Sequence, residues 1–387
     1  MLDFSRVNFN KQIQLSAKKN KQIASKWELA KIETVCNIGS GGTPSRDIPQ
    51  YWENGTIPWL KSEVCKGGYV NEANEFITEL GFKKSNTKYF EKGTTLIALV
   101  GATKGKVGFL NFTATTNQNV AGVYSNDEKK LLNNYLFFVL RNMYDYLVSD
   151  LSQYDMLNLT QIKNIKIPLP SIEIQKQLIN EYTTIENGVE KAEKEITKAL
   201  DEIEGYYSEL FQKSNSKFKI SNDELFEVSI GRRVLAKEVT EDVNSGIPVY
   251  SANVLKPFGY INKQLLEGFE NGSILWGIDG DWMVNTIEPN NPFYPTDHCG
   301  VIRVKSKDLN YKYVAWVLRK EGIEERFTRA NRAATERIKG ITIQAPPIKD
   351  QLKSVHKIEK LEATIKREQE IITASTDKKN EIMKKYL

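Results

Sequence analysis

Ile162–Gln175 reads I-K-N-I-K-I-P-L-P-S-I-E-I-Q, and Ile338–Gln351 reads I-K-G-I-T-I-Q-A-P-P-I-K-D-Q. The two agree at Ile162/Ile338, Lys163/Lys339, Ile165/Ile341, Ile167/Ile343, Pro170/Pro346, Ile172/Ile348 and Gln175/Gln351, at an offset of 176. The same offset places Leu387 on Phe211. A fixed internal period decides an architecture before any local propensity does. Upstream the match continues with insertions. Ile57–Val64 (I-P-W-L-K-S-E-V) resembles Ile247–Val254 (I-P-V-Y-S-A-N-V), and Gly68–Asn71 resembles Gly259–Asn262. Gly93–Leu99 resembles Gly272–Ile278, and Asn134–Arg141 resembles Lys312–Arg319. Each pair is weak alone, but their shared order makes the chain two copies of one unit.

Each copy has two parts. The first is irregular, with short β-branched and aromatic runs such as Thr95–Val100, Val107–Phe112 and Asn119–Tyr124, broken by Gly, Pro and Asn. That pattern predicts a mixed α/β (α+β) domain of short strands. The second part is helical. Leu178, Tyr182, Ile185, Val189, Ala192, Ile196, Ala199, Ile203, Tyr206 and Leu210 step by fours and threes, the heptad seam of a coiled coil. As one helix, residues 173–211 would be ~58 Å long. The second helix keeps the seam at Ile358, Leu361, Ile365, Ile372, Ile382 and Tyr386 and loses it at Glu368, Ser375 and Lys379. Residues 173–211 carry ten acidic and four basic side chains, whereas 349–387 carry seven acidic and ten Lys or Arg. Opposite charge favours pairing of the two helices within one chain over self-pairing. The expected divisions are a basic N-terminal arm (1–26), a first domain (27–158), a first spacer helix (159–211), a second domain (212–333) and a second spacer helix (334–387). A pair of independent solvated helices is the plainer alternative.

Forty per cent hydrophobic and 10% aromatic residues fit a globular chain of 387 residues, enough for two domains. No apolar run approaches the about 18 residues of a membrane span. The opening M-L-D-F-S-R-V-N-F-N-K lacks a signal-like apolar stretch, so a cytoplasmic location is expected. Cys36, Cys65 and Cys299 are too scattered for a disulfide framework or, with two histidines, for a zinc site, so no metal is expected. The net charge of +5 permits an acidic partner without demanding one.

Catalytic motifs are missing. Asn37–Arg46 (N-I-G-S-G-G-T-P-S-R) looks like a phosphate cradle, but it lacks the Lys of a P-loop and the spacing of a dinucleotide loop. Asn290–Tyr294 resembles an amino-methyltransferase N-P-P-[FY] signature without its second Pro, and reads as a turn. Glu128-Lys129-Lys130 has the letters of a nuclease motif in a charged loop. Asp279-Gly280-Asp281 reads as a turn before it reads as a metal site. The chain is expected to bind and not to catalyse.

Several segments together carry a resemblance. They are Trp27-Glu28-Leu29 leading to Ile38–Pro44, Ile57–Leu60, Gly93–Ile97 with Gly101–Thr103 and Gly105-Lys106, Thr116–Asn119, and Ile165–Pro170 running to Gln175. From Trp27 onward the chain resembles the DNA-specificity (S) subunits of type I restriction-modification systems. The resemblance implies two target-recognition domains separated by two long antiparallel coiled-coil helices in a pseudo-twofold internal repeat. Each domain would read one half of a bipartite asymmetric DNA site, with the helical spacer setting the gap. Two methyltransferase subunits would dock on the chain, and restriction/translocase subunits would join for cleavage. S-adenosylmethionine, ATP and magnesium would belong to those partners, with no cofactor on this chain. A non-catalytic scaffold and the reader of a type IIB or IIG system are the alternatives. The second copy departs from the pattern: Ser229-Ile230-Gly231-Arg232-Arg233 replaces the S-G-G-T-P loop, and Gln344-Ala345-Pro346-Pro347 weakens the proline motif.

Phosphates call for Lys, Arg or main-chain amides, and base edges for Arg, Asn, Gln or Asp on loops. The candidates in the first domain are Thr43, Ser45, Arg46, Lys61, Ser62, Lys104, Lys106, Asn117, Gln118 and Tyr154. Those in the second are Arg232, Arg233, Tyr250, Ser251, Asn253, Trp276, Asp279, Asp297, His298, Arg329, Asn331 and Arg332. The run Arg326–Arg337 is either a phosphate-binding segment or a solvated helix face, Asn117 and Gln118 either read adenine or cap a turn, and Trp276 either contacts DNA or fills a core.

Overall fold

The computed structural model describes residues 25–149, 156–214 and 216–387. Most of the expected basic arm and Tyr154 lie outside the described residues. The chain divides into two compact units. The first combines the described residues up to Glu190 with Thr373–Leu387, and the second is Lys191–Ile372. Among the described residues no helix is long and apolar enough to cross a membrane.

In the first unit one sheet has the strand order Cys36–Ser40, Val120–Ser125, Thr95–Ala98, Val107–Leu110, Tyr69–Val70. Its inner strands are runs of β-branched and apolar residues buried on both faces, as covered strands must be. A second sheet orders Glu75–Ile77, Ile57–Leu60, Ala114–Thr116, Tyr89–Phe90. The helix Asn133–Asn142 is buried continuously from Tyr135 to Leu140 and is therefore a core helix, not an amphipathic surface one. The second unit repeats the plan. Phe226–Ile230, Cys299–Val304, Ser273–Gly277 and Val284–Ile287 make one sheet, and Gly259–Ile261, Ile247–Tyr250 and Tyr294–Pro295 the other.

Register confirms the repeat at the level of single residues. Val120 pairs with Ala98 where Cys299 pairs with Gly277. The rare parallel pairing Trp59↔Thr115 recurs as Val249↔Tyr294. One sequence match fails. Tyr69–Val70 pairs in parallel with Phe109–Leu110, whereas Gly259–Ile261 takes the place of Glu75–Ile77 against the Ile57 or Ile247 strand. The Asn290–Tyr294 segment is a turn into the core: Asn290 has φ 61° and Phe293 is fully buried.

The two long helices, Ile172–Lys213 and Ile348–Tyr386, run antiparallel within each unit. In the first unit Lys385 donates to Glu181 at 2.6 Å and Lys379 to Glu186 at 3.3 Å. In the second unit Ile196, Ala199 and Ile365 form one cluster, and Lys357 lies 4.4 Å over the Tyr206 ring. The seam is not broken where its apolar residues stop. Glu368 and Ser375 are buried, and Lys379 spends its charge on Glu186. Polar side chains on an otherwise apolar seam fix register at some cost in stability.

Each unit ties its sheet domain to its long helix by the same three contacts. Gln175 has no exposed surface; its amide donates to Pro170 O (2.9 Å) and Lys130 O (2.8 Å) and accepts from Leu132 N (2.9 Å). Gln351 does the same with Pro346 O, Asp308 O and Asn310 N. Tyr135 donates to Pro168 O and Tyr313 to Gln344 O, both at 2.9 Å. Arg141 pairs with Glu186 at 2.6 Å and Arg319 with Glu362 at 3.1 Å. Burial lowers the pKa of Arg319 despite Glu362, whereas at Arg141 burial is outweighed by Tyr182 and Glu186 and the pKa is raised. The glutamines are the firmer bond, because removing one strands three buried main-chain groups. Gln175→Ala and Gln351→Ala are each expected to cost about 3 kcal/mol in the unit concerned, measured by urea unfolding followed by circular dichroism. A loss below about 1 kcal/mol, the scale of one ordinary hydrogen bond, would show that water replaces the clamp.

Candidate nucleic-acid interface

The glycine-rich loop is built for a chain crossing. A Cβ on Gly41 would lie 1.9 Å from Thr116 O, and one on Gly42 would lie 2.7 Å from Asn86 C. Gly42 N donates to Thr116 O at 2.9 Å and Gly42 O accepts from Trp59 Nε1 at 3.0 Å, so the loop spends its polar groups on protein. In the second unit a Cβ on Gly231 would lie 1.9 Å from Pro295 O, and Arg232 N donates to that oxygen at 3.1 Å. The loop Ser229–Arg233 is thus the same crossing with one glycine where Gly39–Thr43 has three.

This crossing places four loops at one end of each main sheet. In the first unit they follow Gly42, Leu60, Leu99 and Thr116. In the second they follow Gly231, Tyr250, Ile278 and Pro295. Main-chain bonds lock them equivalently: Asn117 N to Leu60 O at 2.9 Å, and Thr296 N to Tyr250 O at 2.8 Å. A fifth segment closes the set, through Leu157 N to Leu99 O at 2.8 Å and Ala333 N to Ile278 O at 3.2 Å.

In the first unit Thr43 Oγ1 donates to Gln118 Oε1 at 2.6 Å, joining two candidates on the surface. The Arg46 guanidinium stacks 3.5 Å over Trp52 and bonds Glu75 at 2.5 Å, and Lys61 pairs with the same carboxylate. Partial burial works against the Glu75 charge, but Lys61 and Arg46 prevail and hold its carboxyl below the usual range. Ser45 accepts from Trp52 Nε1 through its carbonyl, and Ser62 opens a short 3-10 turn. Lys104 and Lys106 ride a hairpin loop whose Gly101 and Gly105 have φ of 75° and 76°. Of its two readings Asn117 takes the turn-capping one: nearly buried, it accepts from Asn119 N at 3.1 Å and shapes the turn, as Thr296 does for His298 N at 3.3 Å.

In the second unit Asp279 gathers two candidates, with His298 Nδ1 at 2.5 Å and Arg332 Nε at 2.7 Å. Asp297 is 3.9 Å from His298 Nε2. Arg232, Arg233 and Arg329 are exposed, and Asn253 caps Leu255 N. Tyr250 is half-buried edge-on to Phe293, with burial raising its pKa, and Ser251 accepts from Thr296 Oγ1 at 3.0 Å. Two candidates are committed to the protein itself. Trp276 is fully buried and donates to Ala333 O at 2.9 Å. Asn331 donates to Arg326 O (2.9 Å) and Glu325 O (3.1 Å) and accepts from Arg337, which stacks on Phe327. The arginine run is therefore a clamped loop between the helices Tyr311–Glu324 and Thr335–Gly340, and not one helix face.

Glu75, Val100 and Met156 escaped the sequence reading. Glu75 reaches Arg46 and Lys61 only through the sheet, and no local spacing announces it. No group of His, Cys, Asp and Glu fit to hold a metal occurs among the described residues, and desolvation pushes the Cys36 and Cys65 thiols up to about 12. Trp276→Ala is expected to cost the second unit about 4 kcal/mol, whereas exposed Arg329→Ala stays within about 0.5 kcal/mol, both by urea unfolding. Equal stability of the two variants would put Trp276 outside the core.

The family model for the type I restriction modification DNA specificity domain matches residues 24–202 and again 215–374. The MjaIX type I restriction enzyme specificity subunit of Methanocaldococcus jannaschii is 28% identical over 215 residues, 53% of this chain and 49% of that protein. The EcoR124I/EcoR124II specificity subunit of Escherichia coli is 24% identical over 46% of this chain and 47% of its own length. The chain thus spans about half the length of the curated relatives it matches. The crystal structure of a type I system S subunit from M. genitalium covers 96% of this chain and 98% of its own, with TM-score 0.66 and 14% identity. A chain of a solved type I R-M system covers 95% and 98%, with TM-score 0.52 and 13% identity. At such identity these two likenesses establish the fold. With one family model matched twice, once over each half of the internal repeat, the chain belongs to the type I restriction-modification DNA specificity family.

Proposed function

We propose that this chain is the sequence-specific DNA-binding subunit of a type I restriction-modification complex. Each unit reads one half of a bipartite asymmetric site, and the paired helices set the gap between the halves. The observation that carries this is the pair of loop sets: one main-chain frame, present twice, with different exposed side chains on each copy. A scaffold would have no use for such variation on a constant frame.

Arg232, Arg233, Arg329, Lys104 and Lys106 are the phosphate contacts, since cations on loops add affinity without sequence information. Gln118, Asp297, His298 and Arg332 are the base contacts. The chain itself is non-catalytic. Methyltransferase subunits dock on it and bring S-adenosylmethionine, while restriction/translocase subunits bring ATP and magnesium, in the cytoplasm. Co-expression with a cognate methyltransferase subunit, followed by mapping of modified adenine in host DNA, is expected to give one two-part motif with a fixed gap. Modification without such a motif, or a stable complex that modifies nothing, would overturn the proposal.

Glu75 holds back two cations. Glu75→Gln is expected to tighten DNA binding by the complex and to steepen its log affinity–log salt slope by up to about two, one for each released contact. Weaker binding, measured by fluorescence anisotropy over a salt series, would make Glu75 a structural residue only.

A further inference from the structure

Superposing the two units by their main-chain bonds aligns four exposed or half-exposed positions. Leu157 N bonds Leu99 O as Ala333 N bonds Ile278 O, so Met156 stands where Arg332 stands, and Val100 where Asp279 stands. The register Val120↔Ala98 and Cys299↔Gly277 likewise puts Gln118 and Asn119 on Asp297 and His298. Val100 and Met156 form an isolated antiparallel main-chain bridge outside the strands. Their counterparts Asp279 and Arg332 are bridged by an ion pair at 2.7 Å. One frame therefore carries an apolar pair beside an amide in the first unit, and a charged relay in the second.

We propose that these four positions build the reading site in each unit, that Arg332 and Asp297 specify a G·C base pair, and that Gln118 and Met156 specify an A·T pair. The inference rests on the DNA-reading function proposed above. The chemistry of the major groove supplies the argument. Guanine offers two acceptors, O6 and N7. Arg332 holds Nε 2.7 Å from Asp279 Oδ1 as an ion pair, and its two terminal nitrogens can fork onto them. Cytosine offers the N4 donor on the same pair, and Asp297, exposed beside His298, is an acceptor for it. Asp279 is the positioning residue: one carboxylate fixes both His298 and Arg332, so neither side chain has to be ordered when DNA arrives. In the first unit the Gln118 amide matches adenine N6 and N7, with Thr43 already holding its oxygen, and the Met156 side chain, 55% exposed, suits the thymine methyl.

The test is the modified-adenine map of the complex, taken for the wild type and for Arg332→Met, Arg332→Lys and Gln118→Ala. The Arg332 side chain is 69% exposed, so its variants fold. A lysine keeps the charge but cannot fork. The wild-type motif is expected to require G·C at one position of one half. Both Arg332 variants relax that position by roughly tenfold to a hundredfold and leave the other half unchanged. Gln118→Ala relaxes an A·T position in the opposite half. A wild type without a two-part motif defeats the proposed function and this inference with it. A normal wild-type motif defeats the inference alone if the Arg332 variants leave it as it was, change both halves, or relax a position that was never G·C.

Discussion

Gln175 and Gln351 have no contact with water, and each closes three hydrogen bonds to main chain. A buried amide leaves little freedom: every donor and acceptor must be met, or the site costs a large fraction of a domain's stability. The clamp joins the turn before the long helix to the loop ahead of the core helix, so the sheet domain is held to the helix at one register. The Arg141–Glu186 and Arg319–Glu362 pairs repeat the fastening further along. A buried pair of this kind adds little net stability, but it punishes misplacement heavily. Together these contacts make each unit a rigid holder for its loops.

Rigidity at the holder permits variety at the tip. The loops meet the frame through main-chain bonds, such as Gly42 N or Arg232 N onto the facing carbonyl, and these do not depend on side-chain identity. Only glycine at the crossing is demanded, because a Cβ there would overlap a carbonyl oxygen. Side chains beyond the crossing are therefore open to change at little structural cost, and that is the property a specificity protein needs.

Much of this was legible in the sequence, and for a physical reason. The residues that recur between the copies include those whose side chains close buried bonds, Gln175/Gln351 at offset 176 and Arg141/Arg319 at offset 178, so the repeat was written in the chemistry that holds the fold. Long apolar seams announce helices of any length. What escaped depended on distant partners. Gly68–Asn71 and Gly259–Asn262 share letters, but strand pairing is set by neighbours far along the chain, and these two found different ones. Glu75 meets Arg46 and Lys61 across a sheet. Trp276 has the composition of a contact residue and the environment of an interior one, and Asn331 spends its amide on the main chain of Glu325 and Arg326. The heptad gaps at Glu368 and Ser375 look like breaks in the sequence, because a pattern of apolar letters does not register a buried polar side chain.

The central claim is that the loops at one end of each main sheet form the DNA face. Hydrogen–deuterium exchange of the assembled complex, with and without a duplex carrying its site, tests this most directly. Slowed exchange is expected at 42–46, 100–106 and 117–119 in the first unit and at 231–235, 278–281, 296–298 and 328–332 in the second. No change is expected at 126–131 and 305–310, which lie at the far ends of the strands Val120–Ser125 and Cys299–Val304. Protection at the far ends, or in one unit alone, would contradict the claim.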